Sequence, residues 1–188
     1  MGDPVDWLWG DPESFADLFT KYYTDCEPES LLVAENDAGI VGYLSGCVDS
    51  GRASGTAAAV VNRLVLRGAL VRPSIAFFFW RSLWDIIRDR GAPPETLHDA
   101  RWPAHLHINL LPEGRGKGLG RQLMETWHAH LRARQAPGVH LGTMAENHNA
   151  LRFFGLCGFA RHGQPVRVPG FRTRDGRRMH VQWMTCSL

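Results

Sequence analysis

The chain has 188 residues, the size of one compact domain, with 44% apolar residues, 21% charged residues and a formal net charge of +2. That composition excludes a disordered chain, and the small net charge points to neither nucleic acid nor an anionic membrane surface as partner. The longest apolar run, Ile75 to Trp80, falls far short of the ~20 residues a spanning helix needs.

Cys26, Cys47, Cys157 and Cys186 are scattered without a CxxC pair, which suits a reducing compartment and argues against a disulfide framework or a zinc site. The start, Met1-Gly2-Asp3-Pro4, has neither the basic end nor the apolar stretch of an export signal. The expectation is a soluble, cytoplasmic protein of one domain, residues 1–188.

In chain order, Asp11-Pro12-Glu13 followed by Phe15, Leu18, Phe19, Tyr22 and Tyr23 predicts a capped amphipathic helix ending near Cys26 to Pro28. Leu31 to Glu35 and Ile40 to Val48 read as two strands joined by Asn36-Asp37-Ala38-Gly39. Residues 50–103 form an insertion, with a helical stretch over 57–70 and a helix over 75–90. In that second helix the apolar residues fall at 75, 76, 79, 80, 83, 84 and 87. Its aromatic side chains read as core; the alternative is a lid over a substrate pocket.

Ala104 to Leu111 is the next strand, Gly118 to Arg134 a helix, Val139 to Ala145 a strand and Asn149 to Leu156 a short helix. Three strands, Phe159–Arg161, Val166–Val168 and Met179–Thr185, close the chain. The order indicates an α/β domain with a parallel strand pair inside the sheet.

The chemistry concentrates where the strand ending at Leu111 runs into Pro112-Glu113-Gly114-Arg115-Gly116-Lys117-Gly118-Leu119-Gly120 and then a helix. Glycines at alternate positions let the backbone present successive N–H groups. The helix start adds its own unpaired N–H groups and positive dipole end, so the segment attracts phosphate. A P-loop requires Gly-Lys-Ser/Thr, but Gly120 is followed by Arg121-Gln122. A dinucleotide fingerprint requires G-x-G-x-x-G and an acid about 20 residues later, and residues 138–143 contain none. What remains is Arg/Gln-x-x-Gly-x-Gly/Ala.

Arg115-x-x-Gly118-x-Gly120 resembles the pyrophosphate motif of the GNAT N-acetyltransferases. The stretch Asn147-x-x-Ala150-x-x-Phe153-Phe154-x-x-x-Gly158-Phe159 resembles that family's second motif, N-x-x-A-x-x-x-Y-x-x-x-G-F, at the family's spacing from the first. The likeness spans residues 104–160 and extends loosely to 11–48. At a weaker level, His105 to Pro112 and the long insertion before it are similar to bacterial members related to the acetyltransferase-like domain of O-GlcNAcases.

The resemblance implies a mixed α/β fold whose two central parallel strands splay apart, with helices on both faces. It implies acetyl-CoA as donor and a primary amine of a small molecule or peptide as acceptor. Under it, the strand Ile108, Asn109, Leu110 and Leu111 offers backbone groups to the pantetheine arm. Arg115, Gly116, Lys117, Gly118, Leu119, Gly120 and Arg121 hold the pyrophosphate, while Asn147, Ala150, Phe153 and Phe154 border the cofactor. The family's tyrosine, which protonates the leaving thiolate, is Phe154 here. Low or lost activity follows, with a non-catalytic acetyl-CoA-binding module as the alternative. Family members usually begin with a strand before the first helix; here only about ten residues precede it.

Acetyl transfer needs a neutral amine, and a lysine-like amine with a pKa near ~10.4 is mostly protonated at neutral pH, so a base or a water chain helps. His105, His107 and Asn109 alternate along their strand and so share one face, and a histidine titrating near ~6.5 suits a base. The same three residues also read as polar groups facing a wet cleft or a hydrogen-bonded interior. They lack a further ligand at an identifiable spacing, so no metal is assigned. The backbone N–H of Leu110 or Leu111 is the expected oxyanion donor. Glu146 and His148 flank the next strand's end, where they can face the acceptor; Glu146 also reads as a solvated loop acid. A homodimer is left open.

Overall fold

The computed structural model describes residues 23–37, 39–52, 73–89 and 97–188. Of the first expected helix only the turn at 23–26 is described, and the helical stretch expected over 57–70 lies outside the described residues. The elements are β1 (Leu31–Asn36), β2 (Gly39–Cys47), α1 (Pro73–Asp89), β3 (Ala104–Leu110), α2 (Leu119–Ala133), β4 (Gly138–Met144), α3 (His148–Leu156), β5 (Ala160–Arg172) and β6 (Arg178–Ser187). They form one six-stranded mixed sheet in the order β1-β2-β3-β4-β6-β5, with β3 and β4 its parallel pair.

One face of the sheet carries the main core. Leu44, Leu106, Val139 and Leu141 meet Leu123, Trp127 and Leu131 of α2 and Leu151 and Phe154 of α3. Those α2 residues are the stripe that a 3.6-residue period picks out. Trp127 is fully buried over β2. It comes so close that a Cβ on Gly46 would lie 2.5 Å from its ring, so only glycine fits there. The opposite face meets the turn at 23–26, where Tyr23 packs edge-on against His107.

Two elements depart from expectation. The short strands expected at 159–161 and 166–168 are one 13-residue strand, β5. Its pairing with β6 is interrupted between His162 and Val166 and between Arg167 and Arg172. Pro165 and Pro169 fall in those interruptions, and β5 lies at the sheet edge, where a missing N–H is tolerated.

The second departure is α1. Of its aromatic side chains only Phe78 is buried. The helix docks on β5 through the stripe Phe78, Ser82, Asp85 and Asp89. Asp85, only 3% exposed, accepts from the Gly170 N–H at 2.9 Å and pairs with Arg172 at 2.6 Å and Arg178 at 3.1 Å. Asp89 pairs with Arg178 at 2.7 Å, and the Phe78 ring meets Phe171 edge-on. Burial pushes the Asp85 carboxyl up, but the hydrogen bonds from Arg172 and Gly170 outweigh it and hold it below the ordinary range. A carboxylate buried between two guanidinium groups is strongly destabilised if either contact is lost, so these pairs fix the rotation of α1. Phe77, Trp80, Leu83, Trp84 and Ile87 are left facing outward.

Candidate active site

The site begins with the pairing of β3. Along its β2 edge the strand is fully engaged, from His105 opposite Cys47 to Leu110 opposite Gly42. Along its β4 edge it pairs only at Ala104 with Val139 and His105 with His140. Beyond those two positions β4 stays with β6 as far as Met144 opposite Val181, and the parallel strands part. The Leu111 N–H donates to the Val41 carbonyl at 2.8 Å. Since backbone direction alternates along a strand, Leu106, Ile108 and Leu110 aim their N–H and C=O groups at the widening side. A cleft of about 850 Å³ opens there.

One end of the cleft is the glycine loop. Gly116 and Gly118 have φ of +73° and +81°, the left-handed region that side chains rarely adopt. Gly118 is the N-cap of α2 and supplies no side-chain cap. The first intrahelical donor there is Gln122, bonding the Gly118 carbonyl at 3.1 Å, so the earlier N–H groups of α2 point out of the helix end. Gly120 is tight against Leu110 and Phe153, which a Cβ would meet at 3.0 and 3.3 Å. The Arg115 Nε donates to the Leu110 carbonyl at 3.1 Å, tying the loop to the strand. Arg115 and Arg121 both line the cleft, Arg121 also pairing with Glu125 at 2.7 Å, and the α2 start adds its positive dipole end.

The far wall is the end of β4 and the start of α3. Asn147 caps α3, its Oδ1 accepting from the Ala150 N–H at 3.1 Å. Phe154 is 7% exposed; its ring meets the cleft on one side and Phe153 and Phe159 on the other, at 5.3 and 5.9 Å between centroids. Glu146 is an exposed acid in the turn after β4, as expected, but it is tied to β6. Its carboxylate accepts from the His180 N–H at 3.1 Å and lies 2.9 Å from His180 Nδ1. Burial raises its pKa, but those hydrogen bonds outweigh burial and hold it below the ordinary value. It is the one acid among the described residues that line the cleft.

On the opposite face of β3, His105 and His107 stack edge to face at 4.7 Å, and His105 lies 5.0 Å from His140. The Tyr23 hydroxyl is 3.3 Å from His105 Nδ1, and His140 Nδ1 is 2.7 Å from the Trp102 carbonyl. His107 lines the cleft, and burial holds it down to about 4. Burial, then the neighbouring His107 and His140, put His105 well below the ordinary value. Both rings are therefore neutral at pH 7. Asn109 lines the cleft and donates to the Tyr43 hydroxyl at 2.8 Å.

Of the residues singled out in the sequence, His107, Ile108, Asn109, Leu110, Arg115, Gly116, Gly118, Gly120, Arg121, Asn147, Ala150, Phe153 and Phe154 converge on this one cleft. Four lie off its wall. His105 sits at the last paired position, beneath the opening. The Leu111 N–H is spent on Val41, which removes it as an oxyanion donor. Lys117 is exposed, and Leu119 is turned into the core. Thr143, Met144 and Met179 also line the cleft without having been singled out. Their place depends on where β4 leaves β3, which no local pattern encodes.

The histidines make stability depend on pH. An unfolded His107 takes a proton near ~6.5, while the folded one does so only near 4, so between those values the unfolded chain binds more protons. Its contribution is complete above ~6.5 and is lost as pH falls toward 4, by no more than about 3 kcal/mol. Thermal melts of wild type and His107→Gln across that window should show a shallower loss in the variant. Parallel curves would contradict the assigned burial.

A family model described as the acetyltransferase (GNAT) family matches residues 3–159. The crystal structure of SsHAT is similar over 99% of this chain and 86% of its own, with a TM-score of 0.62 and 25% identity. Naa20 of Chaetomium thermophilum, solved with a bisubstrate analogue, is similar over 89% of this chain and 70% of its own, with a TM-score of 0.54 and 23% identity. A phosphinothricin acetyltransferase from Sinorhizobium meliloti, solved with AcCoA, has the same fold over 84% of this chain and 60% of its own, with a TM-score of 0.50 and 16% identity. With its splayed strands, its glycine loop at a helix start and a family match over most of its length, the chain belongs to the GNAT acetyltransferase family.

Proposed function

We propose that this protein transfers the acetyl group of acetyl-CoA to a primary amine of a small molecule or peptide, with the donor seated between β3 and β4. The observation that carries the reading is the parting of those strands after two residue pairs, which opens the 850 Å³ cleft against the glycine loop. The residues fit the donor's chemistry. Left-handed Gly116 and Gly118, the uncapped start of α2, and Arg115 with Arg121 suit a pyrophosphate. The outward backbone groups of Leu106 and Ile108 suit the amides of a pantetheine arm.

When bound, acetyl-CoA supplies an acetyl group activated as a thioester. Holding an amine beside it provides much of the rate by proximity alone. Glu146, held ionised in the cleft wall by its hydrogen bonds from His180, attracts a cationic amine, whose nitrogen gives up its proton to water before it attacks. His107 is too weak a base at about 4 to strip a free ammonium. Being neutral, it serves as a hydrogen-bond acceptor for an amine N–H whose acidity rises as the nitrogen attacks.

A second reading, a module that binds acetyl-CoA without turnover, is favoured by one observation: Phe154 lines the cleft where family members carry a phenol. Without that hydroxyl the leaving thiolate takes its proton from water or from the acceptor nitrogen, which becomes acidic as it attacks. CoA release measured with a panel of primary amines separates the two readings.

For donor binding, Gly118→Val puts a β-branched side chain at φ +81° and should weaken acetyl-CoA at least tenfold, about 1.4 kcal/mol, by calorimetry. Unchanged affinity in a folded variant would remove the loop from the site. For turnover, Phe154→Tyr should leave acetyl-CoA affinity nearly unchanged and raise CoA release toward the ~10²–10⁴-fold that general-acid help supplies. Fast wild-type turnover, unmoved by the phenol, would mean that another acid already acts.

A further inference from the structure

The outward face of α1 is a continuous apolar stripe. Ala76, Trp80, Leu83 and Ile87 recur at gaps of four, three and four residues, the spacing of a helix–helix seam, with Phe77 and Trp84 along one side. Phe77, Trp80, Leu83, Trp84 and Ile87 are each 51% to 65% exposed. Rotation of the helix could hide them only by tearing Asp85 from Arg172, Arg178 and the Gly170 N–H, so the exposure is held in place by buried ion pairs.

We propose that this face is the contact between two copies of the chain, α1 of one protomer packing on α1 of the other about a twofold axis. Three observations favour a second copy. Three exposed aromatic rings and two aliphatic side chains offer roughly 600 Å² of apolar surface, close to the ~800 Å² that one partner contributes to a standard interface. An isologous contact needs only one patch, used twice. Among the described residues the remaining exposed large apolar side chains are Phe79 on α1 itself and Val33, Ile40, Leu111, Leu156 and Val166, each less crowded along its element than the five of the α1 face. A bilayer surface is disfavoured. A helix lying on lipid carries several Lys and Arg on its polar face, whereas α1 has only Arg81, packed on Phe77 and Phe78, and Arg88 beside the apolar face, with Ser82, Asp85 and Asp89 opposite it.

The proposal is independent of the acyl-transfer reading, because the face is built by α1 and none of its residues lines the cleft. Light scattering on the full chain at micromolar concentration should give twice the 21.1 kDa of one chain. Trp80→Asp/Trp84→Asp should restore 21.1 kDa while the circular dichroism spectrum stays native. Should that double variant misfold, the single variant Leu83→Glu tests the same seam with a smaller change. A wild-type monomer at all concentrations would overturn the proposal, as would a dimer indifferent to these substitutions. So would a monomer that sediments with phosphatidylcholine–phosphatidylserine vesicles.

Discussion

The arrangement of the site depends on β3 having a partner along one edge and losing it along the other. On its β2 side every position from His105 to Leu110 is matched, which keeps the strand straight and rigid. On its β4 side the match ends at His105, and the backbone groups that a parallel neighbour would satisfy face a cleft instead. Polar backbone is costly to leave without partners inside a fold, so the opening is viable only because it admits water or a ligand rich in amides. Arg115, donating to the Leu110 carbonyl, relieves one end of that demand and anchors the phosphate-type loop to the same strand.

A second consequence is electrostatic. The start of α2, Arg115 and Arg121 bring positive charge to the cleft wall, and Glu146, held by His180, brings negative charge. Elsewhere the wall is apolar or neutral, with Phe154 packed into the core and His107 kept uncharged by burial. A ligand pair that carries both an anionic and a cationic group matches this wall better than either component does alone.

The sequence made some of this legible and hid the rest for identifiable reasons. The glycine loop is readable because its function resides in local backbone geometry, and Gly116 and Gly118 do adopt the left-handed conformation that alternating glycines permit. The Asn147 cap and the α2 stripe are likewise local. The depth of β4 pairing is not local, so Thr143, Met144 and Met179 could not be placed, and the Leu111 N–H was available for oxyanion duty until its bond to Val41 was seen. The orientation of α1 shows the limit most sharply. Its apolar period correctly marks a helix, but which stripe faces inward is set by Arg172 and Arg178, nearly ninety residues later in the chain. For the same reason the tie between Glu146 and His180 could not be read.

The central claim is that the parted edge of β3 and the loop after it hold the acyl donor. The most direct measurement is a residue-resolved nuclear magnetic resonance titration of the amide groups with acetyl-CoA. The account predicts that the amides of Ile108, Leu110, Gly116, Gly118 and Gly120 shift together and saturate at one ligand per chain, while those of β1 and α1 stay still. Saturable shifts confined to other elements, or none at all, would contradict it.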